Sequence, residues 1–334
     1  MKIDLKSGRH LLMNKVNFFA SEVQYFDHII PVWKELPEEV KGTFYVSSWV
    51  MFARAEAKEN CVIGNESSGI TLVSSWYDYK MTKGKVIYLE HGIGQQYGNN
   101  HPSYPAGKGK DRVILFLNQH HLTQEANQTA YPNAKNTIVG TPKMDNVSPQ
   151  SVKHGTGIVC ISFHWECAVC PETMSAFNYY RDEVIRLAKT GKFKIALHAH
   201  PKNSGAWQDK IKRDIKRYNI PFYENFEDVM NEAEVYVIDN SSTMFEFMVT
   251  GKPIIALNIP QYRRNIEHGL RFWSHIGGLQ VNHPHELEKM IELTLKDTQS
   301  FAVRRKEIVE ELYPYHTEAT QRACNAIVEV LKEV

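Results

Sequence analysis

Residues 233–258, AEVYVIDNSSTMFEFMVTGKPIIALN, constrain the fold more than any other stretch of the chain. Val235 to Ile238 is a short, apolar, β-branched run, the signature of a strand buried on both faces. Asp239-Asn240-Ser241-Ser242 supplies turn and N-cap residues. Met244, Phe245, Phe247, Met248 and Val249 then predict a mostly apolar helix, stopped by Gly251 ahead of Pro253. Ile254 to Leu257 is the next strand. A β-turn-α-turn-β unit of this kind requires a covered parallel sheet. Its Ser-Ser pair stands at a helix start, where free backbone N–H groups and the helix dipole suit a phosphate. An ordinary helix cap is the plainer alternative for the pair taken alone.

The rest of the chain repeats the alternation. Strands are predicted near Lys15–Ala20, Thr43–Ser47, Cys61–Gly64, Ile70–Ser74, Lys85–Leu89, Val113–Leu117 and Asn136–Val139. A polar, turn-rich stretch from Asn146 to Gly157 marks a domain boundary, placed at 148/149. The second half predicts strands at Gly157–Ser162, Lys194–Leu197, Ile220–Tyr223 and the two of the opening unit. Its predicted helices include Phe177–Thr190, Trp207–Tyr218, Pro284–Leu295 and Val303–Leu312. The expected class is therefore α/β, with two Rossmann-like domains over 1–148 and 149–315. An amphipathic final helix in 316–334 is expected to pack back on the first. Ligands of such sheets sit at the carboxyl ends of the strands.

Two of those ends carry histidines. Glu90-His91-Gly92-Ile93-Gly94 follows one strand, and a histidine there can take a proton near neutral pH. A hydrogen-bonded loop histidine is the alternative. His198-Ala199-His200-Pro201-Lys202 follows another, and its two histidines share a face if the backbone is extended. Gln95–Lys110, with its GKGK, is long enough for a substrate loop. Basic residues of 207–218 read most simply as a solvated face. Cys160, His164, Cys167 and Cys170 lie close in sequence, but only one CxxC is present. No metal site is assigned, and a reduced loop is the plainer reading.

Composition excludes some classes. Lys+Arg at 39 against Asp+Glu at 38 gives no global pull toward nucleic acid or anionic membrane. No run approaches the ~20 apolar residues that span a bilayer. The charged MKIDLKSGRH start is unlike a signal peptide. Five cysteines, an odd number in a chain of 334 residues, point to reduced thiols. These features favour a cytoplasmic protein, with peripheral membrane association as the alternative.

Four blocks in order resemble the CDP-glycerol glycerophosphotransferases of teichoic-acid synthesis, enzymes of GT-B fold. They are VIYLEHGIG at 86–94, GTPKMD at 140–145, HAHP at 198–201 and IDNSSTMFEFMVTGKPII at 238–255. The resemblance implies a transferase that moves a glycosyl or glycerophosphoryl group from a nucleotide-diphosphate donor to a hydroxyl. It implies His91 as general base, with His200, Ser241 and Ser242 on the donor's phosphates and Lys143 near the domain junction. Thr243, Glu246 and His198 join the donor set, with Glu246 a candidate for the ribose. Glu90, Gly92, Gly94, Arg263 and Arg264 join the acceptor side and cleft. CDP-glycerol or a UDP-sugar is the expected donor, and no tightly bound cofactor is expected. The acceptor is expected to be a polyol phosphate, a glycan or a modified DNA base.

Departures from the family pattern leave donor and acceptor open. Glu90 replaces a Trp, His198 an Arg and Asn240 a Tyr. The pattern also looks like UDP-GlcNAc 2-epimerases and UDP-sugar glycosyltransferases, including those that act on glycans or on hydroxymethylated phage DNA. A non-catalytic GT-B scaffold is the remaining alternative.

Overall fold

A computed structural model describes residues 14–54, 61–64, 68–93, 110–165, 174–202, 213, 217–262, 264 and 271–334. Its frame is two all-parallel sheets. The first contains β1 (Val16–Ala20), β2 (Lys41–Val46), β3 (Cys61–Ile63), β4 (Ile70–Val73), β5 (Val86–Leu89), β6 (Val113–Asn118) and β7 (Lys135–Ile138). Their spatial order is β3-β2-β1-β4-β5-β6-β7. Helices α1 (Val23–Glu35), α2 (Trp49–Arg54), α3 (Trp76–Met81) and α4 (His121–Ala130) cross between them.

The second sheet contains β8 (Ile158–Phe163), β9 (Lys194–Ala199), β10 (Phe222–Tyr223), β11 (Val235–Ile238), β12 (Ile254–Leu257) and β13 (Leu279–Val281). It runs β10-β9-β8-β11-β12-β13. Its helices are α5 (Phe177–Thr190), α6 (Phe226–Glu232), α7 (Thr243–Met248), α8 (Leu287–Lys296) and α9 (Ala302–Leu312). The two sheets therefore reverse direction at equivalent places, between β1 and β4 and between β8 and β11. A crevice for a ligand opens at such a reversal, beyond the strand ends.

The opening unit of the sequence shows why these residues make these elements. Every residue of β11 and β12 is buried, as a strand covered on both faces requires. Burying each Val or Ile side chain contributes roughly 1.5–3 kcal/mol. Gly251 ends α7 with φ +75°, and its N–H donates to the Met248 carbonyl at 2.9 Å. Only a residue without a β-carbon takes that conformation readily. Lys252 then turns inward. Its Nζ donates to the carbonyls of Met230, Asn231 and Ala233 at 2.8, 3.2 and 2.7 Å, at the C-terminal end of α6. Burial lowers this ammonium to about 8, while the helix dipole and three acceptors favour its charged form.

The last helix, α10 (Ala319–Leu331), lies outside the second sheet altogether. Ala323, Cys324, Ile327, Val330 and Leu331 belong to the first domain's core, with Phe18, Phe26, Ile29 and Trp33. Asp145, in the segment joining the two sheets, caps it. Its carboxylate accepts the N–H groups of Ala319 and Thr320 at 2.7 and 2.8 Å. The chain thus crosses between domains twice.

Some sequence expectations need correction. β13 was not expected. Three residues behind two glycines carry too little periodicity to signal a strand, and it forms by pairing with β12. The strand expected over 220–223 is only Phe222–Tyr223. The helix expected over 207–218 and the loop 95–110 lie almost wholly outside the described residues. Among the described residues, no helix is long and apolar enough to cross a membrane.

Candidate active site

The carboxyl ends of both sheets meet across one cleft. From the first domain comes His91, directly after β5, followed by Gly92 at φ +72°. That left-handed turn needs no β-carbon and lets the backbone break away at once. The His91 ring lies edge-on to Tyr25, centroids 4.9 Å apart, and to His28 at 5.8 Å. Both partners sit on α1. Burial lowers His91 to about 4; a hydrogen bond to the Ser74 backbone opposes this, and Lys202 and Lys143 add to the lowering. A neutral imidazole whose N–H faces the backbone keeps a lone pair on its other nitrogen. That lone pair is what a general base needs. His28 is held well below its ordinary value by burial, then by Lys143 and His91.

From the second domain come His164, after β8, and His200, after β9. Their rings touch, with centroids 5.1 Å apart. The parallel register pairs Ser162 with His198 one rung below, so the four residues form two rungs on one face. His200 Nδ1 accepts the Lys202 backbone N–H at 3.0 Å. In the neutral ring this leaves the proton on Nε2, available to donate to a phosphate oxygen. Burial, then His164, His198, Lys202 and His91, holds His200 well below its ordinary value. An arriving anion would offset that effect.

Two lysines close the space between the walls. Lys202 Nζ donates to the Tyr25 hydroxyl at 3.1 Å and lies over the rings of Tyr25 and Trp165. It therefore reaches from the second domain to α1 of the first. Lys143, in the joining segment, pairs with Glu246 on α7 at 2.7 Å.

Beneath the second wall, at the reversal between β8 and β11, Asp239 is fully buried. Its carboxylate accepts the His164 N–H at 2.9 and 3.0 Å and the Ala176 N–H at 3.0 Å. This one side chain fixes both the histidine turn and the entry to α5.

The residues singled out in the sequence divide accordingly. His91, His200 and Lys143 face the cleft together. Ser241 and Thr243 bond each other, Oγ to Oγ1 at 3.0 Å, and Ser241 Oγ takes the Thr243 N–H at 3.4 Å. Ser242 makes no side-chain cap, contrary to the hydroxyl cap expected there. Glu246 is engaged by Lys143, so the ribose role would require exchanging that partner. His198 is buried against Phe226 and bonded to Ser162 Oγ at 2.8 Å, a core position rather than a cleft one. Glu90 likewise turns into the first domain, where it accepts Gln119 N–H at 2.9 Å and Asn127 Nδ2 at 3.2 Å. Arg264 is exposed at the end of β13, bonded to Asn282 at 3.1 Å. Gly94 and Arg263 lie outside the described residues, as do Cys167 and Cys170. Cys160 is buried within β8, and burial raises its thiol. Among the described residues, no group of three ligating side chains is placed to hold a metal.

Sequence reasoning missed Tyr25, His28, Trp165 and Lys202 as cleft residues and read Asp239 only as a turn former. A signal existed for Lys202, which directly follows the His-Pro pair. None existed for Tyr25 and His28, whose helix reads as an ordinary amphipathic one.

Residues 172–329 match the family model described as CDP-Glycerol:Poly(glycerophosphate) glycerophosphotransferase. The match takes in the HAHP and Ser-Ser blocks; the His91 and Lys143 blocks precede it. A variant of the wall teichoic acid polymerase TagF superposes with TM-score 0.62 at 12% identity, covering 96% of this chain and 89% of that one. A putative UDP-N-acetylglucosamine 2-epimerase from Listeria monocytogenes gives 0.63 at 13%, covering 96% and 97%. S. aureus MnaA, solved with UDP, gives 0.62 at 12%, covering 96% and 98%. No curated protein sequence matches the chain. The fold is GT-B, and the family match on the second half supports a nucleotide-donor transferase.

Proposed function

We propose that this chain transfers a glycerophosphoryl group from CDP-glycerol, or a close relative of it, to an acceptor hydroxyl. The observation that carries the reading is the meeting of His91 with His200 and Lys202 across one cleft, opposite walls supplying a base and phosphate donors. The family match on residues 172–329 supports this donor class.

In this reading His91 removes the acceptor proton. The acceptor oxygen bonds to the phosphorus that carries the glycerol. The bridging P–O bond breaks, and the nucleoside monophosphate leaves with its electron pair. His200 Nε2–H, Lys202 and the hydroxyls of Ser241, Ser242 and Thr243 steady the charge on the diphosphate. Lys143 exchanges Glu246 for the diphosphate or holds the carboxylate toward the ribose. Closure of the two walls excludes water, which would otherwise compete as acceptor.

A thermal-shift panel of CMP, CDP, CDP-glycerol, UDP, UDP-GlcNAc and UDP-glucose tests this. A ligand that binds only the folded state raises the melting temperature by mass action. Selective stabilisation by the cytidine compounds is expected. Selective stabilisation by the uridine compounds would replace this reading with a UDP-sugar enzyme, the class to which the fold of the MnaA structure points.

A further inference from the structure

The reversal point of the first sheet holds a set of buried polar atoms that the chemistry above does not use. Ser21 follows β1, and Ser74 follows β4. These strands are neighbours in parallel register, so both serines reach the same rim. Asp78, in the first turn of α3, joins them: the Ser21 N–H donates to its Oδ1 at 3.2 Å. Ser75 Oγ caps α3 by accepting the Asp78 N–H at 2.9 Å. The Ser74 backbone in turn holds His91, which places the group beside the base. Gln24 and His28, one turn apart on α1, face the same rim.

Ser74 and Asp78 are fully buried, His28 is 4% exposed and Ser21 8%. Yet Ser21 Oγ, Gln24 Oε1, His28 Nδ1, Ser74 Oγ, Asp78 Oδ2 and His91 Nδ1 make no hydrogen bond among the described residues. The Ser21 and Ser75 hydroxyls do lie against the Asp78 carboxyl and lower its pKa, while burial, the larger effect, raises it to about 7. Buried polar atoms left without partners cost about 1–3 kcal/mol each, so six of them at one rim call for something that completes them.

The chemistry of the set selects the ligand. Each atom can accept a hydrogen bond, only the two hydroxyls can also donate, and neither histidine carries charge near neutral pH. A phosphate would set its anionic oxygens against the Asp78 carboxyl and uncharged rings and is disfavoured here. A group bearing several O–H donors fits.

We propose that Ser21, Ser74 and Asp78, beside His91, form a hydroxyl-reading subsite for the polyol or sugar end of the acceptor. One acceptor hydroxyl meets His91 and a neighbouring one meets Asp78 and Ser74. The inference rests on the acceptor wall assigned above.

Saturation-transfer NMR on the full chain tests it, with glycerol as the probe. The control is 1,2-dimethoxyethane, which has ether oxygens and no O–H donor. The 31P line broadening of inorganic pyrophosphate in the same sample reports the opposite wall. Asp78→Asn keeps the acceptor for the Ser21 N–H and exchanges only the second oxygen. Ser74→Ala removes one hydroxyl without touching the backbone. Glycerol saturation is expected in the wild type and not for the ether. It should weaken roughly fivefold in each variant, the equivalent of about 1 kcal/mol, with pyrophosphate binding unchanged. Glycerol saturating no better than the ether, or both variants retaining the full signal, would overturn the subsite. If glycerol binds in this Asp78-dependent way while no nucleotide stabilises the protein, the transferase reading fails and the hydroxyl subsite stands.

Discussion

The two sheets share a strand order over six strands, the first adding β7 at its edge, and each buries a carboxyl at its reversal point. Asp239 in the second domain is finished: backbone N–H groups from two different elements already occupy it. Asp78 in the first has one oxygen held by the Ser21 N–H, with the Ser21 and Ser75 hydroxyls beside the carboxyl, and its second oxygen makes no hydrogen bond of normal geometry among the described residues. The same architecture is thus completed by the chain itself on one wall and left to be completed by a ligand on the other. In the proposed reading the second wall seats the donor's phosphates and the first reads the acceptor that arrives.

The sharpest way to break this comparison is to exchange the roles of the two cleft histidines. His91→Ala should lower turnover with CDP-glycerol by roughly 10²–10⁴-fold, with donor affinity from calorimetry little changed. His200→Ala should instead weaken donor binding. The opposite pattern in single-turnover and binding measurements would put the base on the second wall.

The next largest effect separates a finished carboxylate from an unfinished one. Asp239→Ala leaves two backbone N–H groups buried without an acceptor, and should cost about 3 kcal/mol or more in urea unfolding. Asp78→Asn, which keeps its one internal bond, should cost under about 1 kcal/mol. Equal losses would erase the distinction.

Acid should expose a third difference. His91 and His198 each sit at about 4 when folded, both through burial, against an ordinary 6.5. Above pH 6.5 both states are neutral and stability is complete. As pH falls from 6.5 toward 4, the unfolded chain takes up protons that the folded chain refuses, and stability drops by on the order of 3 kcal/mol per group. A diphosphate seated on the opposite wall should shrink that loss for His91 through its charge across the cleft and leave the share of His198, which lies in the core. Urea titrations at pH 7 and 5, with and without pyrophosphate, measure both.

The smallest expected effect concerns the contact between the walls. Lys202→Met keeps most of the packing on Tyr25 and Trp165 but removes the charge. It should cost about 1 kcal/mol of the cation–ring and hydrogen-bond contacts, read as a drop in pyrophosphate affinity of roughly fivefold. No change would mean that Lys202 ties the domains together without touching the anion.

What was legible in the chain follows from range in sequence. Val235–Ile238, Asp239 and the helix behind them are one local unit, so strand, turn and stop all showed in neighbouring residues. The histidines at 91, 198 and 200 showed because each directly follows an apolar run. Asp78 did not show. It stands in SSWYDYK, which reads as a polar helix start, and only the adjacency of β1 and β4 buries it against Ser21. His164 stands among cysteines and reads most plainly as part of a reduced loop. Pairing of β8 with β9 instead sets it against His200. Glu90 and His198 were placed by sequence near the cleft because they neighbour cleft residues, but side chains on a strand alternate or drop a rung.

The return of α10 to the first domain bears on how the protein is made. A ribosome releases β1 to β7 early, but Ala323, Cys324, Ile327, Val330 and Leu331, which seal that core, emerge only after the entire second domain. At 5–20 residues per second, the first domain waits roughly 10–40 s for its last helix. The second domain has no such delay within its own sheet. The nascent chain therefore exposes the apolar face of α1 for that interval, and slower translation of the second half should lengthen its dependence on chaperones.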